Sequence, residues 1–340
     1  MSAPLRLNED NLLDYLGKIA PQAIGTGPVV EPAGDGNINW VRRVRGAERS
    51  CVVKQARPQL ERFPEYEAPT ERIAIEARFY ALAASFDPDR VCPRVLAFDP
   101  THHVLVLEDL GDAERLDAAL ARGADVSGSC AVVAGFLGRL HAACADPARN
   151  AGFENAAMRR LHGEHIFHLP YRENDFPLRP AVAARAHELR SDTELIATID
   201  AAYRRYLEPR GTLVHGDVQP GNVLLTPAGP KLLDAEIAHV GDPAFDIGQL
   251  LGHLVLPAAA RGTPESARPA LRATWQAYAA TGPDASASTL ARAARYAGIE
   301  LLRRTLGAAR HPAVEADAAA LAVLDSGLEL VRGGFVSGGL

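Results

Sequence analysis

The side chains best placed to do chemistry in this 340-residue chain lie between His215 and Glu236. In the segment His215-Gly-Asp-Val-Gln-Pro-Gly-Asn222, an aspartate precedes an asparagine with four residues between them, and Leu233-Asp-Ala-Glu236 adds two more carboxylates. Carboxylate and amide oxygens are ligands that suit Mg²⁺, and a carboxylate can also accept the proton of a hydroxyl group. This combination predicts a metal-assisted phosphoryl-transfer site.

The Asp-x4-Asn spacing gives each of these side chains a role. It is the pattern of the catalytic loop of protein kinases, in which the aspartate accepts the proton of the attacking hydroxyl and the asparagine binds Mg²⁺. We therefore predict Asp217 as the catalytic base, and Asn222 and Asp234 as metal ligands. Glu236 would add a second carboxylate if its segment is extended, because residues two apart in a strand point to the same side.

Nearby polar residues are predicted to support this loop. His215 is expected to brace it without touching the substrate. Asp246, in Phe245-Asp-Ile-Gly248, has two interpretations: it accepts backbone N–H groups of the catalytic loop, or it caps a helix. His162, His165 and His168 have a spacing that could suggest zinc, but the His-Glu-x-x-His order is absent and the predicted site prefers oxygen ligands. Zinc is therefore not expected.

The N-terminal part of the chain contains candidates for binding the nucleotide phosphates. The segment Ala33-Gly-Asp-Gly-Asn-Ile-Asn39 combines glycines, which allow close backbone approach, with two asparagines, Asn37 and Asn39, whose side chains can donate to phosphate. The alternative interpretation is an ordinary turn, because Asp-Gly-Asn is also a common turn sequence. Lys54 ends a predicted strand and is expected to reach the phosphates, oriented by an ion pair with Glu76, 22 residues later. Glu71 is the alternative partner.

The segment Leu105-Val-Leu-Glu-Asp-Leu110 reads as a buried strand that becomes polar where the helical part begins. We predict it as the hinge that holds the adenine through backbone N–H and C=O groups. A plain linker would have the same sequence. The predicted cofactor-binding residues of this segment are Glu108, Asp109 and Leu110.

The elements that must position these residues change in kind along the chain. The first part of the chain contains a predicted helix after residue 11, then short β-branched runs, and then a predicted helix over 65–85. The rest of the chain is rich in alanine and has helical periodicity. Strands first and helices afterwards predict an α+β chain with segregated halves. Together with the kinase-type pattern of the Asp217 loop, this predicts a protein-kinase-like bilobal fold, with an antiparallel sheet lobe over 1–110 and a mainly helical lobe over 111–340. The predicted strands are 41–44, 51–54, 95–98 and 104–107, and the predicted later helices are 131–143, 180–189, 194–207, 246–255, 269–280, 288–307 and 315–332.

Bulk properties narrow the class of partner. A formal charge of −6 without a basic block argues against nucleic acid and leaves a small molecule as the expected partner. The four cysteines form no Cys-x-x-Cys pair. The N-terminus lacks the basic region followed by an apolar region that marks a signal peptide. No apolar run approaches the roughly 20 residues that span a bilayer. We predict a cytoplasmic protein that does not interact with membranes.

These motifs together resemble the aminoglycoside-phosphotransferase-like kinases, and within them the branch that phosphorylates methylthioribose. The resemblance extends over about residues 8 to 310 and is most specific in Asp234-Ala-Glu236 and in the paired arginines of Glu300-Leu-Leu-Arg-Arg-Thr-Leu-Gly307. From the residues alone, that pair reads equally as a surface feature, because adjacent helix positions point about 100° apart.

The resemblance implies an ATP- and Mg²⁺-dependent kinase of a hydroxylated small molecule. It implies that Asn37 and Lys54 contact ATP, that Glu108–Leu110 form the hinge and that Asp217 faces a sugar hydroxyl. It also implies Mg²⁺ on Asp234 and Glu236, and a homodimer. The residues it assigns to the substrate or the transferring phosphate are Arg303 or Arg304.

One segment and one further position depart from the methylthioribose branch and leave the acceptor open. Val218-Gln-Pro-Gly-Asn222 is the version common in the broader family, and Ala235 stands where that branch has proline. The predicted acceptor is a methylthioribose-like sugar, with an aminoglycoside, an amino alcohol or another sugar as alternatives. A catalytically silent nucleotide-binding module would have lost the base or the metal ligands, yet Asp217, Asn222 and Asp234 are all present.

Overall fold

A computed structural model describes residues 5–34, 38–59, 61 and 67–335 of the chain. Its contacts separate two compact units, one made of Met1–Ala113 with Asp234–Ile237 and the other of Glu114–Leu233 with Ala238–Leu340. The first unit is therefore discontinuous in sequence. Within the described residues, no helix combines the length and the apolar character needed to cross a membrane.

The first unit is built on a five-stranded antiparallel sheet in the order β1-β2-β3-β5-β4. Pairing of β3 with β2 and β5 places Lys54 opposite Val41 and Leu105. The elements are α1 (Leu12–Ile19), β1 (Val29–Pro32), β2 (Trp40–Arg45), β3 (Ser50–Gln55), α2 (Arg72–Ala83), β4 (Val95–Asp99) and β5 (Val104–Glu108).

Successive side chains of β3 point alternately to the two faces of the sheet, so each face receives a different set of residues. Cys51 and Val53 are fully buried and pack in one cluster with Leu12 and Leu16 of α1. Because successive strand residues point to opposite faces, Lys54 projects from the other face, towards α2. The strand thus contributes its apolar residues to the core under α1 and its lysine to the side of α2.

The second unit is mainly helical and contains two small antiparallel sheets, β6-β8-β9 and β7-β10. Helix α6 continues into one π-helical turn, Glu164–His168. The elements are β6 (Glu114–Arg115), α3 (Leu116–Ala121), α4 (Ser127–Ala143), α5 (Pro147–Asn150), α6 (Ala156–Gly163), α7 (Pro180–Ser191), α8 (Thr193–Leu207), β7 (Thr212–Val214), β8 (Val223–Thr226), β9 (Gly229–Leu232), β10 (His239–Gly241), α9 (Ala244–Ala260), α10 (Arg268–Thr281), α11 (Ala287–Leu306) and α12 (Asp317–Gly333).

Helices α9 and α11 approach closely through small residues. A Cβ atom added to Gly248 would lie 2.7 Å from the Ala293 carbonyl oxygen, and one added to Gly252 would lie 3.0 Å from that of Ala297. No larger side chain fits at such distances without moving one helix. The contact fixes the position of α9, which carries Asp246, relative to α11.

The α+β fold class and the antiparallel sheet of the N-terminal region are confirmed. One predicted helix differs, because α2 begins at Arg72 and the described residues just before it, 67–71, are not helical. Pro69 explains the difference, since proline disfavours helical geometry in the residue before it. The helices predicted over 269–280 and 288–307 correspond to α10 and α11.

Candidate functional site

Lys54 lies at the centre of a buried carboxylate cluster in the first unit. Its Nζ atom donates to both oxygens of Glu76, at 2.8 and 2.7 Å, and to Oδ1 of Asp234. Lys54 is 5% exposed and Glu76 is fully buried. The structure therefore pairs the lysine with Glu76 and not with Glu71, and it adds Asp234 as a second partner.

Burial and charge act in opposite directions on this cluster. Burial by itself would lower the pKa of Lys54, but the carboxylates of Asp234, Glu76 and Glu236 outweigh it and raise the pKa. Burial raises the pKa of Glu76 to about 7, although Lys54 opposes the change. The ammonium is thus charged at neutral pH and is held by one buried and one partly exposed carboxylate.

Glu236 is oriented by two side chains of the same unit. Its Oε2 atom accepts from Asn39 Nδ2 at 2.8 Å and lies 3.3 Å from Arg72 Nε. Arg72 also donates to Asn39 Oδ1 at 2.9 Å, so the three side chains form a closed set. Two expectations are corrected here. Ala235–Ile237 is a 3₁₀ turn and not an extended segment. The side-chain amide of Asn39, a candidate donor to phosphate, donates to Glu236 instead, and Asn39 is 4% exposed.

Asp234 is the most accessible carboxylate of this cluster. Its backbone has a φ of 63°, in the left-handed region that few residues other than glycine adopt. Its side chain is 48% exposed, compared with 6% for Glu236. The turn therefore presents one carboxylate outwards and keeps the next one inside.

The donor set fits Mg²⁺ in its usual nucleotide-bound form. The described residues contain no group of three or more His, Cys, Asp or Glu side chains that could hold a metal ion by themselves. Enzymes that use nucleotides commonly bind Mg²⁺ through one or two carboxylates together with the phosphates and water. Asp234 and Glu236 are hard oxygen donors of that kind.

The predicted hinge residues have structural roles for their side chains. Glu108 accepts from Arg94 Nε at 2.7 Å, and its backbone N–H donates to the Arg94 carbonyl. Asp109 accepts from Gly111 N at 3.0 Å and lies at the same distance from Arg43 Nε. Any adenine contact at Glu108 would therefore use its carbonyl. The predicted phosphate contact Asn37 lies outside the described residues.

In the second unit, two amide side chains hold Asp217. Its Oδ2 atom accepts from Asn222 Nδ2 at 2.8 Å and from Gln219 Nε2 at 2.9 Å. Asn222 uses its amide nitrogen for this bond, so its carbonyl oxygen is the end that could bind a cation. The carboxylate of Asp217 is thus fixed in position by its own loop.

Asp246 anchors this loop from the first turn of α9. Its two oxygens accept from the backbone N–H groups of His215, at 2.7 Å, and Gly216, at 2.9 Å. Gly216 has a φ of 84°, which favours glycine at this position. His141 Nε2 lies 3.1 Å from the same carboxylate. Since Pro243 occupies the helix N-cap, Asp246 braces the loop and does not cap α9.

Arg303 and Arg304 share one buried acid on α11. Glu300 accepts from Arg303 Nε at 2.6 Å and from Arg304 Nε at 3.0 Å, and His253 Nε2 lies 2.9 Å away. Burial alone would raise the pKa of Glu300, but Arg303, His253 and Arg304 hold it well below its usual range. Arg304 also donates to Gln219, the residue that binds Asp217.

His162 faces the carboxylate of Asp217 from the end of α6. Its Nε2 atom lies 3.9 Å from Asp217 Oδ1. Burial lowers the pKa of His162 to about 4, although the charge of Asp217 opposes the change. A neutral imidazole therefore lies beside this carboxylate at physiological pH.

This neutral histidine makes stability depend on pH. Between pH 6.5 and about 4 an unfolded His162 binds a proton that the folded protein does not, so the free energy of unfolding falls as pH falls. We expect His162→Asn to lose less stability than the wild type across that window, by up to about 3 kcal/mol. Urea unfolding at several pH values measures the difference. His187→Asn, on the exposed side of α7, should follow the wild type.

Arg72, Gln219 and Glu300 are among the residues of these clusters that escaped prediction, together with His141 and His253. Glu300 had a readable signal, because it precedes Arg303 and Arg304 by three and four positions, the spacing of helix ion pairs. Gln219 and Arg72 gave no such signal for their long-range contacts, since Arg304, which donates to Gln219, lies 85 residues from it and Asn39, which accepts from Arg72, lies 33 residues from it.

Comparison with known proteins identifies the family to which the chain belongs. A family model described as the phosphotransferase enzyme family matches residues 29–296. The chain is 28% identical over 339 residues to a methylthioribose kinase of Pectobacterium atrosepticum, covering 87% of this chain and 83% of that protein. It is 28% identical over 315 residues to a methylthioribose kinase of Bacillus cereus, covering 81% and 78%.

The fold is also similar to that of solved kinase structures. A choline/ethanolamine kinase family protein from Mesorhizobium loti superposes with a TM-score of 0.54 at 20% identity, over 95% of this chain and 94% of that chain. At this identity the likeness concerns the fold alone. The family match extends over more than half of the sequence and confirms the predicted family, so the chain belongs to the phosphotransferase enzyme family.

Proposed function

We propose that this phosphotransferase uses ATP and Mg²⁺ to phosphorylate a hydroxyl group of a small metabolite. The observation that carries the proposal is the constrained carboxylate of Asp217, which two amides hold in a loop anchored by Asp246. A carboxylate held in this way can orient a hydroxyl and accept its proton. Phosphoryl transfer depends chiefly on such positioning and on compensating charge.

The first unit supplies the groups suited to the nucleotide. We propose that Lys54, oriented by Glu76, contacts the phosphates, and that Asp234 and Glu236 provide oxygen ligands for Mg²⁺. Asn37 as a phosphate contact and the backbone of Glu108–Leu110 as the adenine hinge belong to the same proposal. Bound Mg²⁺ would neutralise charge on the phosphates during transfer.

The second unit supplies the groups suited to the acceptor. We propose Asp217 as the base, Asn222 as an oxygen ligand through its amide, and Arg303 or Arg304 as a contact for the acceptor or the transferring phosphate. Residues 1–110 would thus form the nucleotide-binding lobe and residues 111–340 the catalytic and substrate-binding lobe.

A methylthioribose-like sugar is the acceptor that we propose first. Its support is the naming of the relatives that align with more than three quarters of this chain at 28% identity. An ADP-release screen with 5-methylthioribose, other sugars, amino alcohols and aminoglycosides tests it. We expect the highest kcat/KM with 5-methylthioribose. Turnover of another class alone would refute this acceptor but not the kinase, and absence of both turnover and ATP binding would refute the kinase.

The two arginines are expected to differ in their effect on the acceptor. Both arginines are bonded to buried Glu300, and Arg304 also reaches Gln219, so Arg304→Gln should raise the acceptor KM by about tenfold, whereas Arg303→Gln should mainly reduce stability. Steady-state kinetics with the acceptor varied at saturating ATP, together with thermal melts, separates the two. Equal increases in KM for both variants would contradict the distinction.

A further inference from the structure

A basic cleft lies between α8 and α11 in the second unit, and no role assigned above involves it. Two adjoining cavities of about 380 and 350 Å³ form it. They share Arg205, Glu208 and Arg292 in their walls. Cavities of this size hold small metabolites.

The walls of the cleft carry an excess of positive charge. Five arginines face two carboxylates, which leaves three positive charges uncompensated. One carboxylate, that of the buried Asp242, accepts from both Arg205 and Arg292, the latter at 2.9 Å. The arginines are Arg204, Arg205, Arg210, Arg292 and Arg295, and the carboxylates are Glu208 and Asp242.

Two buried donors in the wall of the cleft have no acceptor among the described residues. Tyr296 is 3% exposed, and its hydroxyl lacks a hydrogen-bond partner in the described part of the chain, as does the buried Nε atom of Arg295. Buried polar groups in folded proteins are nearly always paired, so these two atoms call for an acceptor from outside the chain. Both residues line the larger cavity.

The tyrosine is suited to donate its proton to an anion. Burial raises the pKa of Tyr296, and the charge of Asp242 acts in the same direction. The phenol therefore remains protonated and can donate. An anion with several oxygens can accept from a phenol and from guanidinium groups at once, and the planar guanidinium matches phosphate geometry.

We propose that this cleft binds a small anion bearing a phosphate group, with the Tyr296 hydroxyl and the Arg295 guanidinium as its buried donors. The lining residues include none of the side chains assigned above to the nucleotide, the metal or the acceptor. The binding site is therefore independent of the proposed catalytic function.

The test is a calorimetric titration of the whole protein with inorganic phosphate, with chloride used to keep the ionic strength constant. The wild type should show a saturable site that persists in the presence of ADP and Mg²⁺. Tyr296→Phe and Arg295→Gln should each weaken that site by about tenfold or more. Arg272→Gln, which removes a charge from the exposed side of α10, is the matched control and should bind as the wild type does.

Tyr296→Phe also separates a ligand donor from a merely unsatisfied group. The substitution removes one hydroxyl that has no partner in the described chain, so the protein should melt at the wild-type temperature or above it. Loss of phosphate affinity in this folded variant supports the proposal. Phosphate binding equal to that of the wild type in Tyr296→Phe, or no saturable site in the wild type, would overturn it.

Discussion

Replacing Asp217 with asparagine is expected to lower kcat by about 10²- to 10⁴-fold while nucleotide affinity changes by less than about twofold. The substitution keeps the shape of the side chain and its contacts with Asn222 and Gln219, but it removes the negative charge that we propose accepts the hydroxyl proton. Because the base acts in the transition state, the loss should appear in kcat and not in ground-state binding. Steady-state kinetics and calorimetry with an unreactive ATP analogue measure the two quantities.

A matched variant controls for the loss of a carboxylate elsewhere. Asp325 on α12 has an exposed side chain and pairs with Arg185 at 2.8 Å, so Asp325→Asn should retain wild-type kinetics. Thermal melts would show whether both variants are folded. A large loss of nucleotide affinity in Asp217→Asn, or turnover near the wild-type level, would mean that this carboxylate is not the base.

Replacing Lys54 with methionine is expected to remove turnover and to destabilise the fold. It leaves the fully buried Glu76 without its cation, and breaking a buried ion pair in this way typically costs about 3–5 kcal/mol. The loss of a positive charge from the proposed phosphate site should lower kcat by about 10²-fold or more. Urea unfolding and ADP release measure the two effects.

The double variant Lys54→Met/Glu76→Gln separates folding from catalysis. A glutamine at position 76 can still accept from the Tyr80 hydroxyl, which lies 3.0 Å from Glu76 Oε1, but it carries no charge to compensate. Most of the stability should therefore return while turnover remains absent. If turnover returns with stability, Lys54 serves the fold alone. Lys18→Met, the same change on an exposed position of α1, should alter neither property.

The single variant should also respond to pH in a defined direction. Burial already raises the pKa of Glu76 to about 7, and removal of Lys54 removes an opposing effect. With a folded pKa above the unfolded value of 4.5, the folded state holds the proton more tightly, and stability falls as pH rises from 4.5. The difference in the free energy of unfolding between Lys54→Met and the wild type should therefore become smaller at acidic pH.

The features that the sequence predicts correctly are local ones. Asn222 follows Asp217 by five positions, and Glu76 follows Lys54 by 22, so the loop and the strand-then-helix pair could be predicted from spacing. Short β-branched runs and helical periodicity identified the sheet and the later helices for the same reason, because neighbouring residues share one element. Periodicity alone places the start of helix α2 too early, because it takes no account of Pro69.

Contacts between side chains that are distant in sequence became visible only in the folded chain. Folding brings Asp234 and Glu236 into the first unit with Lys54, Arg72 and Asn39, and it connects Arg304 to Asp217 through Gln219. Periodicity reports which face of an element is buried, but it does not specify the partner that buries it. Contacts between residues far apart in the chain depend on how the elements pack. For the same reason, the basic cleft around Tyr296, assembled from α8 and α11, has no signature in the sequence.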